Sequence, residues 1–221
     1  GVLTSSAPSD SESQFRPSAV MSRGEFARWL VATNNRIYRD QPARQIRLVP
    51  DSTEPAFQDV ARSDTAFPAI QGLAEAGYIP SSLTGESNTN AFRPNAPLTR
   101  EELLLWKVPV DVRRILPTAT ADGVKQTWGF KDANRINPRA LPAVLADHRN
   151  GDLSNIRRVF GSTLLFQPKK AVTRAEAVAA LWYIGTQGEG FSAQEVLRGE
   201  QQASPAAAPS TAPSTADQPS N

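Results

Sequence analysis

The sequence predicts a mainly α fold of three imperfect helix–loop–helix repeats, packed as a pseudo-threefold bundle with little or no sheet. Three observations support this prediction. One sequence pattern occurs three times, each copy contains a helix-capping motif, and apolar residues at helical spacing follow each cap. We expect about six short helices, long inter-repeat insertions and disordered ends.

The repeated pattern places Phe, Pro, Ser or Thr, Arg and Glu at the same spacing in three places. The segments begin at Phe15, Phe92 and Phe166 and read FRPSAVMSRGEFARWL, FRPNAPLTREELLLWK and FQPKKAVTRAEAVAAL. A pattern that recurs three times in register without gaps indicates internal repeats. The Phe-x-Pro part should be extended, because proline biases the residue before it away from helical geometry. Each Phe is expected to plug the core beneath its helix.

A capping box is present in every copy, since Ser or Thr is followed three residues later by Glu. The predicted structural caps and their partners are Ser22 with Glu25, Thr99 with Glu102, and Thr173 with Glu176. Each box opens an amphipathic helix. We expect the second helix to stop at Pro109, because proline breaks helix interiors, and the third to end near Gly185.

A shorter element precedes two of the repeats. Residues 57–79 and 130–145 both begin with Phe-x-Asp and continue as a short apolar helix. The spacing from this Phe to the following Phe-x-Pro is almost the same in the two units, so we interpret both as front halves of repeats. Asp59 and Asp132 are expected either to cap their own short helices or to hydrogen-bond a sugar.

These repeats divide the chain into five segments. Residues 15–56 hold the second half of repeat 1 plus a linker, residues 57–127 hold repeat 2 plus an insertion, and residues 128–197 hold repeat 3. Residues 1–14 and the Ala/Pro/Ser/Thr-rich residues 198–221 are expected to be disordered. The first residues have neither the basic nor the apolar region of a secretory signal, so any export signal was removed or never existed.

Composition limits the chemistry available to the 221-residue chain. It has no cysteine and one histidine, so disulfides, thiolate sites and multi-histidine metal centres are excluded. The net charge is +2, which does not indicate a dedicated nucleic-acid binder. No apolar run approaches the ~18 residues of a membrane span. We therefore expect no cofactor, no metal, no nucleic-acid partner and no membrane span.

The repeated motifs resemble those of the S-layer homology family. The stretch VTRAEAVAALWYIG at 172–185 is close to the family consensus, and Phe-x-Asp, Phe-x-Pro and Thr-Arg-Ala-Glu occur in register. The stretches 103–111, 124–133 and 165–190 look like a cyanobacterial branch of the family with relatives in plastids. The resemblance covers roughly residues 15–185 and implies three pseudo-symmetric prongs.

This resemblance implies attachment to the cell envelope. Grooves between the family's prongs bind peptidoglycan-linked polysaccharide, often bearing a pyruvate ketal, and the arginine of Thr-Arg-Ala-Glu holds that carboxylate. Carried over by position, the ligand residues are Arg23, Arg100 and Arg174. An arginine at the first turn of a helix lies beside free amides and the positive end of the helix dipole. The implied protein is exported, non-catalytic and located in the periplasm or at the cell surface.

Departures from the family pattern leave other functions open. The family's Trp-Ala is Thr65-Ala66 here, a turn in repeat 3 is replaced, and the inter-repeat links are long. The alternative is a protein-interaction or assembly scaffold bound to a membrane protein complex, in the thylakoid lumen or at a photosynthetic or envelope membrane surface. A hydrolase using Asp and Glu pairs is a third reading, although the sequence places no such pair.

Aromatic and basic residues complete the candidates. Trp128, expected in a loop, could stack on a sugar ring or on a partner, whereas Trp29 and Trp106 lie on apolar helix faces and are expected in the core. The lone His148 is expected at the surface. A basic cluster, expected to be a solvated surface, comprises Arg157, Arg158, Lys169 and Lys170.

Overall fold

The structure is a computed structural model that describes residues 15–50, 52–85 and 90–203. The mainly α prediction is confirmed over these residues, which contain eight α-helices. The helices are α1 (Arg23–Ile37), α2 (Phe67–Glu75), α3 (Arg100–Val112), α4 (Ala121–Trp128), α5 (Leu141–Asp147), α6 (Asn155–Phe160), α7 (Arg174–Leu181) and α8 (Ala193–Ala203). One antiparallel strand pair in these ranges joins β1 (Tyr183–Ile184) to β2 (Phe191–Ser192). No helix in the described ranges is long and apolar enough to cross a bilayer.

The helix count exceeds the expected six by two, because repeat 1 contributes one helix and three further segments of the described chain are helical. Helix α4 lies in the insertion of repeat 2, α6 lies in the replaced turn of repeat 3, and α8 runs through residues 198–203. The predicted tail therefore starts too early, since its first six residues continue a helix. The expectations for residues 1–14 and 204–221 lie outside the described residues.

Helices α1, α3 and α7 begin at the repeated caps. Thr99 Oγ1 accepts a hydrogen bond from Glu102 N, and the Glu102 carboxylate accepts one from Thr99 N at 2.9 Å. Thr173 and Glu176 form the same reciprocal pair. In α1, Ser22 Oγ accepts from the backbone N of the following glutamate at 3.2 Å. Helices α3 and α7 thus begin with complete capping boxes, whereas in α1 the predicted box is half formed, with Ser22 as the cap.

The segments before these helices join in a closed ring of backbone hydrogen bonds. Met21 N donates to Val172 O, Val172 N donates to Leu98 O, and Leu98 N donates to Met21 O, at 2.8–2.9 Å. The helix starts form a second cycle that runs in the opposite direction, with donors and acceptors Arg23 N to Ala96 O, Arg100 N to Lys170 O, and Arg174 N to Ala19 O. Each repeated segment therefore contacts both others, which is what the predicted pseudo-threefold bundle needs at its centre.

The repeated phenylalanines lie at the core in two repeats out of three. Phe92 and Phe166 are buried, and each ring lies about 5 Å from the front-half ring of its own unit, Phe57 or Phe130. Phe15, in contrast, is 40% exposed, so the expected core plug is wrong for repeat 1. Among the described residues, no phenylalanine of a front half precedes Phe15 as Phe57 precedes Phe92. The Phe15 side chain is exposed because no such ring packs on it.

Phe-x-Pro is not extended at its central residue. Arg16, Arg93 and Gln167 have φ angles of 42°, 56° and 55°, in the left-handed region. The turn geometry serves a carboxylate: Asp59 accepts from the backbone N of Phe92 and of Arg93, at 2.7 and 2.6 Å. In repeats 2 and 3 this paired hydrogen bonding to an aspartate favours the turn over the extended geometry expected before proline.

Two expected helix ends also move. Proline 109 lies inside α3, which continues to Val112 and ends at Arg113 with φ 53°. Proline removes one N–H donor, but Val108 and Val110 on either side of it are buried, which favours continuing the helix. Helix α7 ends at Leu181, and the chain enters β1 before it reaches Gly185.

The linker after α1 is ordered by side chains of that helix. Asn35 Nδ2 donates to Ile46 O, and Ile46 N donates to Asn35 Oδ1, both at 2.8 Å. The linker then crosses α2 at Gly72, where an added Cβ would lie 2.3 Å from the carbonyl oxygen of Arg47. Glycine at this position lets the two segments approach closely, so the linker covers the front half of repeat 2.

A buried polar cluster ties α3 to repeat 3. Lys107 is fully buried and its Nζ donates to the Asp111 carboxylate and, at 2.9 Å, to Tyr183 O. Asp111 also accepts from Asn155 Nδ2 at the start of α6. Burial lowers the pKa of Lys107, while the adjacent Asp111 carboxylate opposes that shift. The pairing offsets the cost of burying both charges.

Candidate functional site

The three predicted ligand arginines occupy equivalent positions, each as the first residue of its helix. Each guanidinium forms an ion pair with the capping glutamate of another repeat. The pairs are Arg23 with Glu102, Arg100 with Glu176 at 3.3 Å, and Arg174 with Glu25 at 2.9 Å. We call these six residues the Arg–Glu ring. Every glutamate in the ring thus belongs to a helix start and also holds an arginine of a neighbouring repeat.

The ring arginines are mostly withdrawn from solvent. Their side chains are 17% (Arg23), 9% (Arg100) and 10% (Arg174) exposed. Burial, together with the nearby Arg93 guanidinium, lowers the pKa of Arg23 to about 10, so it stays charged at neutral pH. Its Nε donates to Phe92 O at 2.6 Å, whereas the Nε atoms of Arg100 and Arg174 are buried without a hydrogen-bond partner.

Each ring arginine also lies over an aromatic ring. The Arg23 guanidinium carbon is 4.9 Å from the Trp106 ring centre, and that of Arg174 is 4.9 Å from Trp29. The Arg100 guanidinium carbon is 4.1 Å from the ring centre of Phe160. Cation–π contact of this kind is attractive and is strongest when the cation is desolvated. Trp29 and Trp106 are both buried, as predicted.

An open groove lies beside Arg23. It encloses about 200 Å³ between repeats 1 and 2 and reaches residues of repeat 3. Its apolar lining includes Ile79 and Leu105, and its positive lining adds Arg93 to Arg23. Glu101 and Glu102 also line it, but both are already paired, with Lys169 and with Arg23. The groove therefore combines an apolar surface with guanidinium groups.

The two front-half aspartates hold backbone amides. Asp132 accepts from Phe166 N at 2.9 Å and from Gln167 N at 2.8 Å, and Asp59 makes the equivalent pair of bonds in repeat 2. Neither caps its own short helix, because the helix start at 133 has no side-chain cap and α2 begins after Ala66. Each carboxylate instead fixes the Phe-x-Pro turn of its own repeat.

Trp128 lies apart from the groove at Arg23. It is the last residue of α4 and not part of a loop, and its Nε1 donates to Val144 O at 2.8 Å. Phe130 stacks on its ring at 5.4 Å, and Arg157 lies 5.1 Å from its ring centre. Trp128 lines a second cavity of about 330 Å³. Stacking of Trp128 on a sugar ring or a partner therefore stays a prediction.

His148 lies at that same cavity and is partly exposed. Its ring meets Trp128 edge-on at 4.8 Å, and its Nε2 is 3.3 Å from Arg157 Nη2. Partial burial and the positive charge of Arg157 lower the pKa of His148. At neutral pH the imidazole is therefore neutral.

The predicted basic cluster is not a single solvated surface. Arg158 donates to Ala179 O at 2.6 Å and to Ala180 O at 3.3 Å, which ties α6 to α7. Lys169 forms an ion pair with Glu101. The expected solvated surface is wrong for Arg158, because backbone carbonyls of α7 hold its guanidinium, whereas the Lys169 side chain is 61% exposed, as predicted.

Sequence reasoning missed several residues that the structure brings forward. Ser192 and Glu195 form a further capping box at the start of α8, and the Ser-x-x-Glu spacing is visible in the sequence. Arg93 was visible only as the variable position of Phe-x-Pro. Asn137 and Arg139 come from repeat 3 and line the groove at Arg23, and no local signal in the sequence points to them.

Helices α1, α3 and α7, whose starts are joined by the Arg–Glu ring, place this protein in the class of mainly helical modules. A family model for the S-layer homology domain matches residues 56–104, so the chain carries an S-layer homology domain over that segment. The match runs from the front half of repeat 2 into α3. S-layer homology domains are cell-surface anchoring modules that bind cell-wall polymers. No curated protein matches the chain.

Proposed function

We propose that the protein is a non-catalytic envelope module that binds peptidoglycan-linked anionic polysaccharide, in the periplasm or at the cell surface. The S-layer homology match supports attachment in general. The observation that carries the proposal is the position of Arg23, which starts a helix, belongs to the Arg–Glu ring and lines an open groove. The anionic group, such as the carboxylate of a pyruvate ketal, binds there.

The chemistry of Arg23 suits a carboxylate on a sugar. A guanidinium has five N–H donors. Arg23 uses Nε for Phe92 O and Nη1 for Glu102, which leaves Nη2 for a further anion. The positive end of the helix dipole at the start of α1 adds to the attraction. Apolar side chains at Ile79 and Leu105 offer a surface for the face of a sugar ring.

The ring carboxylates support a binding function over a hydrolytic one. A retaining or inverting hydrolase needs one carboxyl group free to donate a proton and a second free to act as nucleophile or base. Glu102 and Glu176 each accept a hydrogen bond from a cap backbone N and also pair with an arginine. Groups held in this way stabilise the fold, and we assign them no chemical step.

The test is co-sedimentation of the protein with native sacculi and with sacculi stripped of secondary polymer. We expect retention on native sacculi and at least tenfold less on stripped ones. Arg23→Lys keeps a positive charge opposite Glu102 but loses the planar fork of donors, so it should reduce retention several-fold. Arg149→Lys, at an exposed position outside the ring, is the matched control. Equal retention on both kinds of sacculi rejects the proposal.

A further inference from the structure

We infer that the ring arginines are not equivalent: the groove at Arg23 binds the anionic sugar, whereas Phe160 closes the corresponding place at Arg100. This inference rests on the proposed function and adds which groove performs it. It starts from a difference between the repeats at one position. Trp29 and Trp106 occupy the same place in repeats 1 and 2, but Ala180 stands at that place in repeat 3.

The smaller residue removes the aromatic partner that Arg100 would have from repeat 3. Arg23 lies over Trp106 and Arg174 over Trp29, each at 4.9 Å, and by the same cyclic order Arg100 would lie over position 180. The structure fills the space with Phe160 from α6, at 4.1 Å from the guanidinium carbon. Phe160 also meets Phe166 edge-on at 6.2 Å. An inserted helix thus replaces the side chain that the repeat lacks.

Phe160 is held in place by the start of its own helix. Asp147 accepts hydrogen bonds from Asn155 N and Ile156 N, each at 2.9 Å, and is itself 2% exposed. Arg158 ties the same helix to α7 through two carbonyls. Helix α6 is therefore fixed at several points, and Arg100 is left 7% exposed with Phe160 over its guanidinium.

The groove at Arg23 is open where the Arg100 place is filled. Its outer wall is the front half of repeat 2, including Phe57 and Ile79, and its mouth carries the exposed Arg93. A volume of about 200 Å³ is below the range usual for drug-sized ligands, which suits one sugar residue with the chain continuing outside. Glu101 and Glu102 do not repel an acidic sugar strongly, because each already faces a cation.

The experiment measures binding of a purified wall-polymer fragment, released from native sacculi, by titration calorimetry. Ala91 is exposed and lines the groove, so Ala91→Trp fills it while all six residues of the Arg–Glu ring keep their identity. Ala61→Trp places the same side chain at an exposed position outside the groove. We expect Ala91→Trp to weaken binding at least tenfold and Ala61→Trp to change it less than twofold.

A charge reversal gives a second reading that does not depend on tolerance of the tryptophan. Arg93→Glu at the groove mouth should weaken binding at least tenfold, while Arg149→Glu, an exposed charge reversal elsewhere, should change it less than twofold. Wild-type binding that survives both Ala91→Trp and Arg93→Glu overturns the inference and leaves the proposed function standing. Absence of binding by the wild-type protein overturns the proposed function itself.

Discussion

At the scale of single residues, contacts between repeats explain why an arginine recurs at the start of α1, α3 and α7. A capping box needs Ser or Thr and Glu, but it has no need for the Arg between them. The Arg–Glu ring gives the arginine a structural role. Arg100 forms an ion pair with Glu176 of the next repeat, and Arg100 is only 7% exposed. The proposed ligand binding at Arg23 is then an additional use of a residue that already forms a structural ion pair.

The paired aspartates give a prediction at this scale. Asp132→Ala removes two charge-assisted hydrogen bonds to buried amides and should lower the free energy of unfolding by about 3 kcal/mol. Asp59→Ala should cost only about 1 kcal/mol, because that carboxylate is exposed to water. Urea unfolding of both variants measures the difference. Equal losses in the free energy of unfolding would show that the exposure of the carboxylate does not determine how much it stabilises the fold.

At the scale of elements, α8 is the helix held mainly by carboxylates. Glu195 caps the start of α8. Glu200 pairs with Arg36, in α1, at 2.6 Å and with Arg39, just after α1, at 3.1 Å. Leu197 on the same helix is 54% exposed, so apolar burial contributes little at that position. The attachment of α8 should therefore depend on the ionisation of these two glutamates.

Acid should release α8 before the rest of the fold. Hydrogen bonds from Ser192 lower the pKa of Glu195 below its usual 4.5, and the hydrogen bond from Arg36 lowers the pKa of Glu200. Groups with a lowered folded pKa stabilise above the unfolded pKa and lose that contribution as pH falls through the folded value. We expect amide protection in 193–203 to fall below about pH 4.5.

Hydrogen exchange against pH measures this release. The double variant Glu195→Gln/Glu200→Gln should show low protection of α8 already at pH 7, whereas Glu189→Gln, on the loop between β1 and β2, should behave as wild type. Protection of α8 that is unchanged between pH 7 and pH 3 would contradict the assignment.

At the scale of the whole molecule, the ring makes the three repeats interdependent. Each repeat exchanges backbone hydrogen bonds with both neighbours, and the ion pairs close in the same cyclic order as the bonds donated by the first residue of each helix. Repeat proteins with an open order can unfold from one end, because each unit contacts only its neighbours. A closed order has no such end, so one cooperative transition is expected.

Breaking one ring pair should lower stability everywhere at once. Arg100→Ala leaves Glu176 without its cation at a largely buried position, with an expected loss of about 2–4 kcal/mol in the free energy of unfolding. Far-UV circular dichroism and tryptophan fluorescence should shift together, and Arg149→Ala should shift neither. Separate transitions for the two probes would show that the repeats unfold independently.

The sequence predicted the helices and their caps because those signals are local. The Ser/Thr-x-x-Glu spacing and the apolar periodicity located α1, α3 and α7 without any knowledge of their partners. It could not predict that Phe160 would take the place vacant at Ala180, or that Asn137 would line a groove of another repeat. Those contacts join residues far apart in the chain, and no local preference encodes them.

Because the ion pairs of the Arg–Glu ring close on themselves, this architecture is complete with three repeats. A chain with two such units would leave one arginine and one glutamate of the ring unpaired. A fourth unit would find every arginine and glutamate of the ring already paired. Lengthening or shortening such a protein by one copy therefore disrupts the assembly, so growth is expected to proceed by adding whole triplets.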